Sequence, residues 1–487
     1  MRIAKILLFL PAFLVAAALA QTPVDRIISE SLKPSPLENN LRHLTDEIGG
    51  RVPGTPAMQK AVQWGVEAFR AAGADSVHTE DFTIQTSWAE GATQMSIAAP
   101  EQFRVRAISL AWAPALAAQH RVPVVDAGSG STEDFAKLAN FSGAILLVHS
   151  EEMKNWDDLF AEYLRAPGII DRAVQGKALA IAFQSTRPHD LLYRHTNALA
   201  GEIDRLPMVL VAREDAARMA RLLASGQKLY ADLEIPNRIG GPIRATNVVA
   251  ELHGSEKPEE FVVLGAHLDS WELGTGALDN GCNDALVIDA LRAIKATGLR
   301  PRRSIRFILF SGEEQGLLGS HAYVRLHRGE LDKAAGVVIL DEGTGPVTGF
   351  SLGGRKDVLP AMTELVAPLR QFDAATLTTD AEWGTDHWDF MLEGVPTLFA
   401  NQLEANYLIN YHAMSDTFDK VDLAQLKKHV AEAAAVAFGI ADAPQRIGPR
   451  LHRAQIEQTL EETHVVELMK TFGEWDDWQH GKVGRTD

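Results

Sequence analysis

Apolar and polar positions change their rhythm several times along this chain, and each change predicts an element. Between Asn39 and Gly73 the rhythm is helical: Val62, Val66 and Phe69 share one face, and Gly73 follows as a stop. Val77–Phe82 and Phe103–Leu110 then read as strands. From Ala115 to Ile239 short apolar runs (121–125, 144–148, 178–182, 206–212) alternate with polar loops, and a helix is predicted over Arg213–Ser225. Pro236 and Gly240-Gly241-Pro242 mark the exit of this stretch.

After Ala245 a regular alternation sets in. Strands are predicted over Phe261–Ala266, Ser304–Phe310, Gly336–Leu340 and Pro396–Ala400. Helices are predicted over Asp284–Thr297, Gly316–Leu326, Lys356–Leu369 and the Ala-rich Val421–Ile440. Strands alternating with helices of this length form crossover units, so the expected fold is α/β, with a mixed, largely parallel sheet flanked by helices. The 115–239 stretch is expected as an inserted α+β unit. In the tail, 443–487, Ile456, Leu460, Leu468 and Phe472 make a stripe that packs on the parent domain or, alternatively, serves as a homodimer contact.

The first twenty residues have a different rhythm. Arg2 and Lys5 precede an apolar run from Ile6 to Ala17, and Ala18-Leu19-Ala20 has the small-residue form of a cleavage site. This predicts a secretory signal peptide cut before Gln21, and therefore export to a periplasmic or extracellular space. No later run approaches the ~20 apolar residues of a membrane span. The expected division is thus leader 1–20, a main domain in two parts, 21–114 and 240–442, insert 115–239, and tail 443–487.

Composition then removes whole classes of function. Lys and Arg number 47 and Asp and Glu 64, a net charge of −17, which argues against a nucleic-acid binder. Cys282 is the single cysteine, so no internal disulfide forms and no thiolate cluster can hold a metal. Beside Asp279 it reads as a small buried residue.

The chemistry-bearing residues gather at predicted strand ends. His267 and Asp269 follow the strand ending at Ala266, Glu313 and Glu314 the one ending at Phe310, and Asp341 the one ending at Leu340. In open α/β sheets ligands bind at that carboxyl edge. Imidazole and carboxylate are zinc ligands. Asp279, in a glycine-rich loop before a helix, and His412 are further candidates. Of the adjacent Glu313 and Glu314, one can bind metal while the other acts as general base.

Four segments carry a resemblance: His267-Leu-Asp-Ser-Trp271, Gly276-Ala-Leu-Asp-Asn280, Ser311-Gly-Glu-Glu-Gln-Gly316 and His412-Ala-Met-Ser-Asp-Thr417. Together, and with Gly50-Arg-Val-Pro-Gly54, they resemble the co-catalytic zinc exopeptidase family, above all its plasma glutamate carboxypeptidase branch, over roughly Val24–Asp442. The resemblance implies the zinc-exopeptidase fold with an inserted protease-associated domain, and two zinc ions per chain. One zinc would be held by His267, Asp279 and Asp341, the other by Asp279, Glu314 and His412. Glu313 would be the general base acting with a metal-bridging hydroxide, and Asp269 the acid that orients His267. It also implies a cis peptide after Asp279. The implied activity is hydrolysis of dipeptides or short peptides, as a dipeptidase, aminopeptidase or carboxypeptidase. Asp386, His387, Trp271 and Tyr411 are candidates for substrate contact; Gly384-Thr-Asp-His387 blends the patterns of two branches.

Two other readings remain. Gly349-Phe-Ser-Leu-Gly353 matches a nucleophile-elbow pattern, and Ser351, Asp386 and His412 have the chain order of a serine hydrolase triad. A glutaminyl-cyclase-like acyltransferase would use the same fold with one zinc.

Overall fold

The computed structural model describes residues 21–197 and 201–486. The expected leader, 1–20, lies outside the described residues. Among the described residues no helix is long and apolar enough to cross a membrane.

The main body is built on an eight-stranded sheet. Its spatial order is Ser76–Ile84, Ile243–Leu252, Arg303–Phe310, Lys257–His267, Ala334–Ile339, Thr397–Gln402, Val347–Ser351 and Thr376–Thr378. The four strands from Arg303–Phe310 to Thr397–Gln402 run parallel, and antiparallel pairs flank them. The sheet is therefore mixed, with a parallel centre. The parallel strands carry continuous apolar runs, Phe261–Ala266, Phe307–Phe310 and Ala334–Ile339, because helices cover both faces. Cys282–Ala296 and Leu423–Asp442 pack on one face with Pro23–Ser31 and Pro56–Ala72, and that core includes Val262, Leu264, Leu286 and Val436. Leu318–Leu326 and His387–Leu392 cover the other.

The helix expected from Asn39 to Gly73 is broken. Leu37–Arg42 runs into a π turn, His43–Ile48, and a new helix begins at Pro56, capped by Thr55, whose hydroxyl accepts from the Met58 amide at 3.2 Å. Between them Gly49–Gly54 forms a loop pressed onto the site, as glycine and proline favour. A Cβ on Gly50 would lie 2.4 Å from the Glu272 Cα, so only glycine allows this approach.

A second eight-stranded sheet forms the inserted unit. Its order is Phe103–Val105, Gln94–Ala99, Tyr230–Ile235, Leu116–Asp126, Ile145–Val148, Ala180–Gln184, Met208–Val211 and Ala107–Ser109. Its strands span 94–235 rather than the expected 115–239, because three strands before Ala115 pair into it. The single strand expected over Phe103–Leu110 is cut at Arg106, whose guanidinium binds Asp215 at 2.8 and 2.9 Å. The two halves then lie at opposite edges of the sheet. Trp156–Gln175, a helix of this unit, was not foreseen from the sequence. Ser87–Ala89 pairs with Arg238–Gly240 where the chain leaves and re-enters the main body.

The tail folds as three short helices, Arg453–Glu462, Val466–Thr471 and Glu474–Gln479. Ile456, Leu460, Met469 and Trp478 pack against Trp388, Met391 and Leu392. The expected stripe is thus used inside the chain, with Met469 buried in the place expected of Leu468.

Candidate metal centre

His267 ends its strand at the carboxyl edge of the sheet, and the neighbouring parallel strands deliver Glu313, Glu314 and Asp341 to the same edge. His267 Nε2 lies 3.2 Å from Asp279 and 3.2 Å from Asp341. His412 Nε2 lies 3.4 Å from Asp279 and 2.8 Å from Glu314. Two sets of groups able to hold a metal result, His267–Asp279–Asp341 and Asp279–Glu314–His412, which meet at Asp279.

The spacing suits zinc. Ligands at about 2.0–2.1 Å from a tetrahedral ion stand about 3.3 Å apart. The donor atoms also lack other partners: Asp279 Oδ2 and Glu314 Oε1 are buried and accept no hydrogen bond. A cluster of buried carboxylates this dense repels itself unless cations compensate it. Burial pushes the Glu313 carboxyl far above the ordinary range; His267 pulls it down, and Asp341 and Asp386 push it further up. Burial likewise pushes Asp341 up to about 6, against the pull of His267.

Glu313 belongs to neither ligand set. Its carboxylate stands 3.9 Å from His267 Nε2 and lines the cavity. Asp269 is fully buried beneath this loop. Its carboxylate accepts from the amides of Gly312 (2.8 Å), Glu313 (3.2 Å) and Glu314 (3.3 Å). His267 Nδ1 is closest to the Asp269 main-chain oxygen, at 3.0 Å, with the carboxylate at 3.8 Å. The carboxylate therefore holds the Glu313–Glu314 turn, and it is the Asp269 backbone that meets the imidazole.

Two residues whose roles the sequence left unread hold the Asp279 loop. The Asp416 carboxylate accepts from the amides of Ala277, Leu278 and Asp279 at 3.1, 2.7 and 3.2 Å. Arg51, fully buried, donates to the carbonyls of Leu268 (2.6 Å), Thr275 (2.8 Å), Gly276 (3.0 Å) and Gly49 (3.2 Å). Both stood inside quoted motifs, which was the available signal. The Asp279–Asn280 peptide is cis. The insert grips the other ligand loop: the Arg194 amide donates to the His412 carbonyl at 2.8 Å, and the Met414 amide to the Leu192 carbonyl at 3.1 Å.

A cavity of about 1010 Å³ opens over the two sets. Of the four candidate substrate residues only Tyr411 lines it. Tyr411 stacks on His412, 3.6 Å between ring centroids, and shares a 2.9 Å hydrogen bond with Tyr163 of the insert. Trp271 is instead buried against Trp112, with its edge toward His412. Asp386 is buried and contributes no atom to the wall, and His387 is buried on Phe399 with Nε2 3.0 Å from the Glu382 carbonyl. Trp271, Asp386 and His387 thus stand behind the wall, because the loop that carries Trp271 and the start of the helix His387–Leu392 turn these side chains into the core. Tyr163 had no sequence signal, being 248 residues from its partner.

Ser351 sits within a strand, 1 % exposed, and donates to the Asp380 carbonyl at 2.6 Å. It does not reach the cavity wall, which removes the support for a serine nucleophile. Cys282 is buried, its thiol 3.4 Å from the Leu278 carbonyl, and burial pushes its pKa up, away from reactivity.

An α/β sheet with histidines and carboxylates converging at its carboxyl edge is an arrangement suited to a zinc enzyme, and the comparisons with known proteins support a zinc metallopeptidase. Residues 247–437 match the model of peptidase family M28. The chain is similar to carboxypeptidase Q of Mus musculus, 28% identical over 404 residues, covering 82% of this chain and 84% of the relative. The peptidase M28 precursor of Shewanella amazonensis superposes with a TM-score of 0.78 at 25% identity, covering 88% of this chain and 98% of that one. A zinc aminopeptidase of Bacillus subtilis shares the fold at 20% identity, with a TM-score of 0.65 and coverage of 86% and 97%.

Proposed function

We propose that this chain is an exported exopeptidase with two zinc ions, which hydrolyses dipeptides and short peptides from a free amino end. The observation that carries the reading is the pair of ligand sets meeting at Asp279 with Glu313 unligated beside them. Zinc bound there would polarise the scissile carbonyl and lower the pKa of an attacking water. Glu313 takes the proton of that water and passes it to the leaving amine, a task suited to a carboxyl whose pKa is raised. Asp269, through the three amides it binds, keeps Glu313 and Glu314 apart in direction.

The preference for an amino end follows from charge. Glu202, Glu342, Glu382, Glu474 and Asp477 line the cavity beyond the ligand sets, and among its described lining residues there is no lysine or arginine. An ammonium is stabilised in such a place, and a terminal carboxylate finds no lysine or arginine partner among these residues. The inserted unit, read as a protease-associated domain, contributes Tyr163 and Glu202 to this wall. Export rests on the pattern of residues 2–20.

The test uses purified, zinc-loaded protein and three forms of one dipeptide: free, N-acetylated and C-amidated. Hydrolysis of the free and amidated forms, lost on acetylation and on chelation, is expected. Cleavage of the acetylated form with loss on amidation would reverse the polarity of the reading, and activity that survives complete metal removal would refute the mechanism.

A further inference from the structure

The C-terminal segment lies beyond the family match, yet it forms part of the cavity wall. Thr471, Phe472, Gly473, Glu474, Asp477 and Val483 line the same space as His267, Glu313 and His412. Phe472 stacks on Trp383, with 4.7 Å between ring centroids and 9° between the planes. Glu474 fastens this arrangement: its carboxylate accepts from the indole of Trp383 at 3.0 Å and of Trp388 at 2.7 Å. Trp388 is fully buried in the tail's own apolar cluster with Leu460, Met469 and Trp478, so the wall is anchored in a core. Across the cavity, Trp156, Leu159, Phe160 and Tyr163 line it from the insert helix Trp156–Gln175, and the tail helix Val466–Thr471 comes alongside that helix. Insert and tail thus approach each other over the metal centre.

A cavity of about 1010 Å³ is at the upper end for a small-molecule site. An extended peptide advances about 3.3 Å per residue, so each added residue carries the chain further from the metal centre toward the insert helix and the tail.

We propose that segment 443–487 is a constituent of the substrate site and limits peptide length: the Trp383–Phe472 pair closes the wall that faces the insert helix, so free-amine di- and tripeptides are hydrolysed far faster than longer peptides. This rests on the exopeptidase reading above. Phe472 and Trp383 are the specificity-determining residues, and Glu474 positions them.

The experiment measures kcat/KM of the zinc-loaded full-length protein on Leu-Ala, Leu-Ala-Ala and the hexapeptide Leu-(Ala)5. The unmodified protein is expected to favour the dipeptide over the hexapeptide at least tenfold. Phe472→Ala should shrink that ratio at least threefold. Thr471→Trp adds bulk at an exposed position of the same wall and should enlarge it at least threefold, which keeps the test alive if Phe472→Ala does not fold. A ratio near one in the unmodified protein overturns the inference. So does an unmoved ratio in the folded variants. Leu-Ala hydrolysis with a flat length profile sinks the role of the tail alone, whereas no hydrolysis of any of the three peptides sinks the exopeptidase reading and this inference with it.

Discussion

Replacing Arg51 tests how the centre is built, because one side chain joins the N-terminal loop to the segment that carries Asp279. In Arg51→Met the apolar volume is roughly kept, but the carbonyls of Leu268, Thr275 and Gly49 lose a buried donor. The Gly276 carbonyl keeps its bond from the Gly281 amide. Each orphaned acceptor costs about 1–3 kcal/mol. Asp284, whose carboxylate is 4.0 Å from the guanidinium and has no hydrogen bond, also loses its nearest cation. Removal of the guanidinium's own burial cost offsets part of this, which leaves about 3–5 kcal/mol, the size seen when one partner of a buried pair is removed. That is a fifth or more of the stability of an ordinary domain, about 5–15 kcal/mol. Urea unfolding of the metal-free protein reads the loss. Zinc titration reads the second consequence: affinity at least tenfold weaker, since 1.4 kcal/mol of looseness in the 275–279 loop suffices for that. Arg51→Lys should recover little, because one ammonium cannot reach four carbonyls in a planar fork. If Arg51→Met stays within about 1 kcal/mol of the parent and binds zinc as tightly, the account of Arg51 is wrong.

The other expectations follow from the same geometry. Glu313→Gln should lower kcat by about 10²–10⁴ while metal analysis still finds the full zinc content; turnover near that of the parent would reject the base assignment. Asp279→Ala should lose both metals, since the ligand sets share it, and a variant that retains two zincs per chain would contradict the sharing. Burial holds His387 neutral, its pKa lowered to about 4. The unfolded chain takes up a proton near pH 6.5 while the folded one does not, so this group's contribution to stability falls as pH drops from 6.5 toward 4. Between pH 7.5 and 5 the loss from His387 is about 2 kcal/mol. His387→Phe, which keeps a ring on Phe399, should flatten the urea-stability profile over that range, and an unchanged slope would argue against a neutral buried imidazole.

What the sequence determined by itself is local. Apolar runs and their polar ends bound the predicted strands at Ala266, Phe310 and Leu340, and the residues just past those ends were legible as one edge of a sheet because parallel strands share a direction. His267, Glu313, Glu314 and Asp341 could therefore be grouped with no coordinates; His412, which follows no predicted strand, and the sharing of Asp279 came from the resemblance. The tertiary structure decided what depends on distant partners. Which strands join the insert sheet is set by partners far apart in the chain, as where Gln94–Ala99 pairs with Tyr230–Ile235. Trp271, Asp386 and His387 are adjacent in sequence to site segments yet face the core, since neither a loop nor a helix's first turn has a period that shows which way a side chain points. Arg51 bonds to Thr275 across 224 residues, and Tyr163 to Tyr411 across 248. The tail's stripe was visible as amphipathic, but not that Phe472 would stack on Trp383 above the metal centre. Periodicity records which side of an element avoids water; it carries no information on which other buried surface covers it, and that choice is made by packing and hydrogen bonding between segments far apart in the chain.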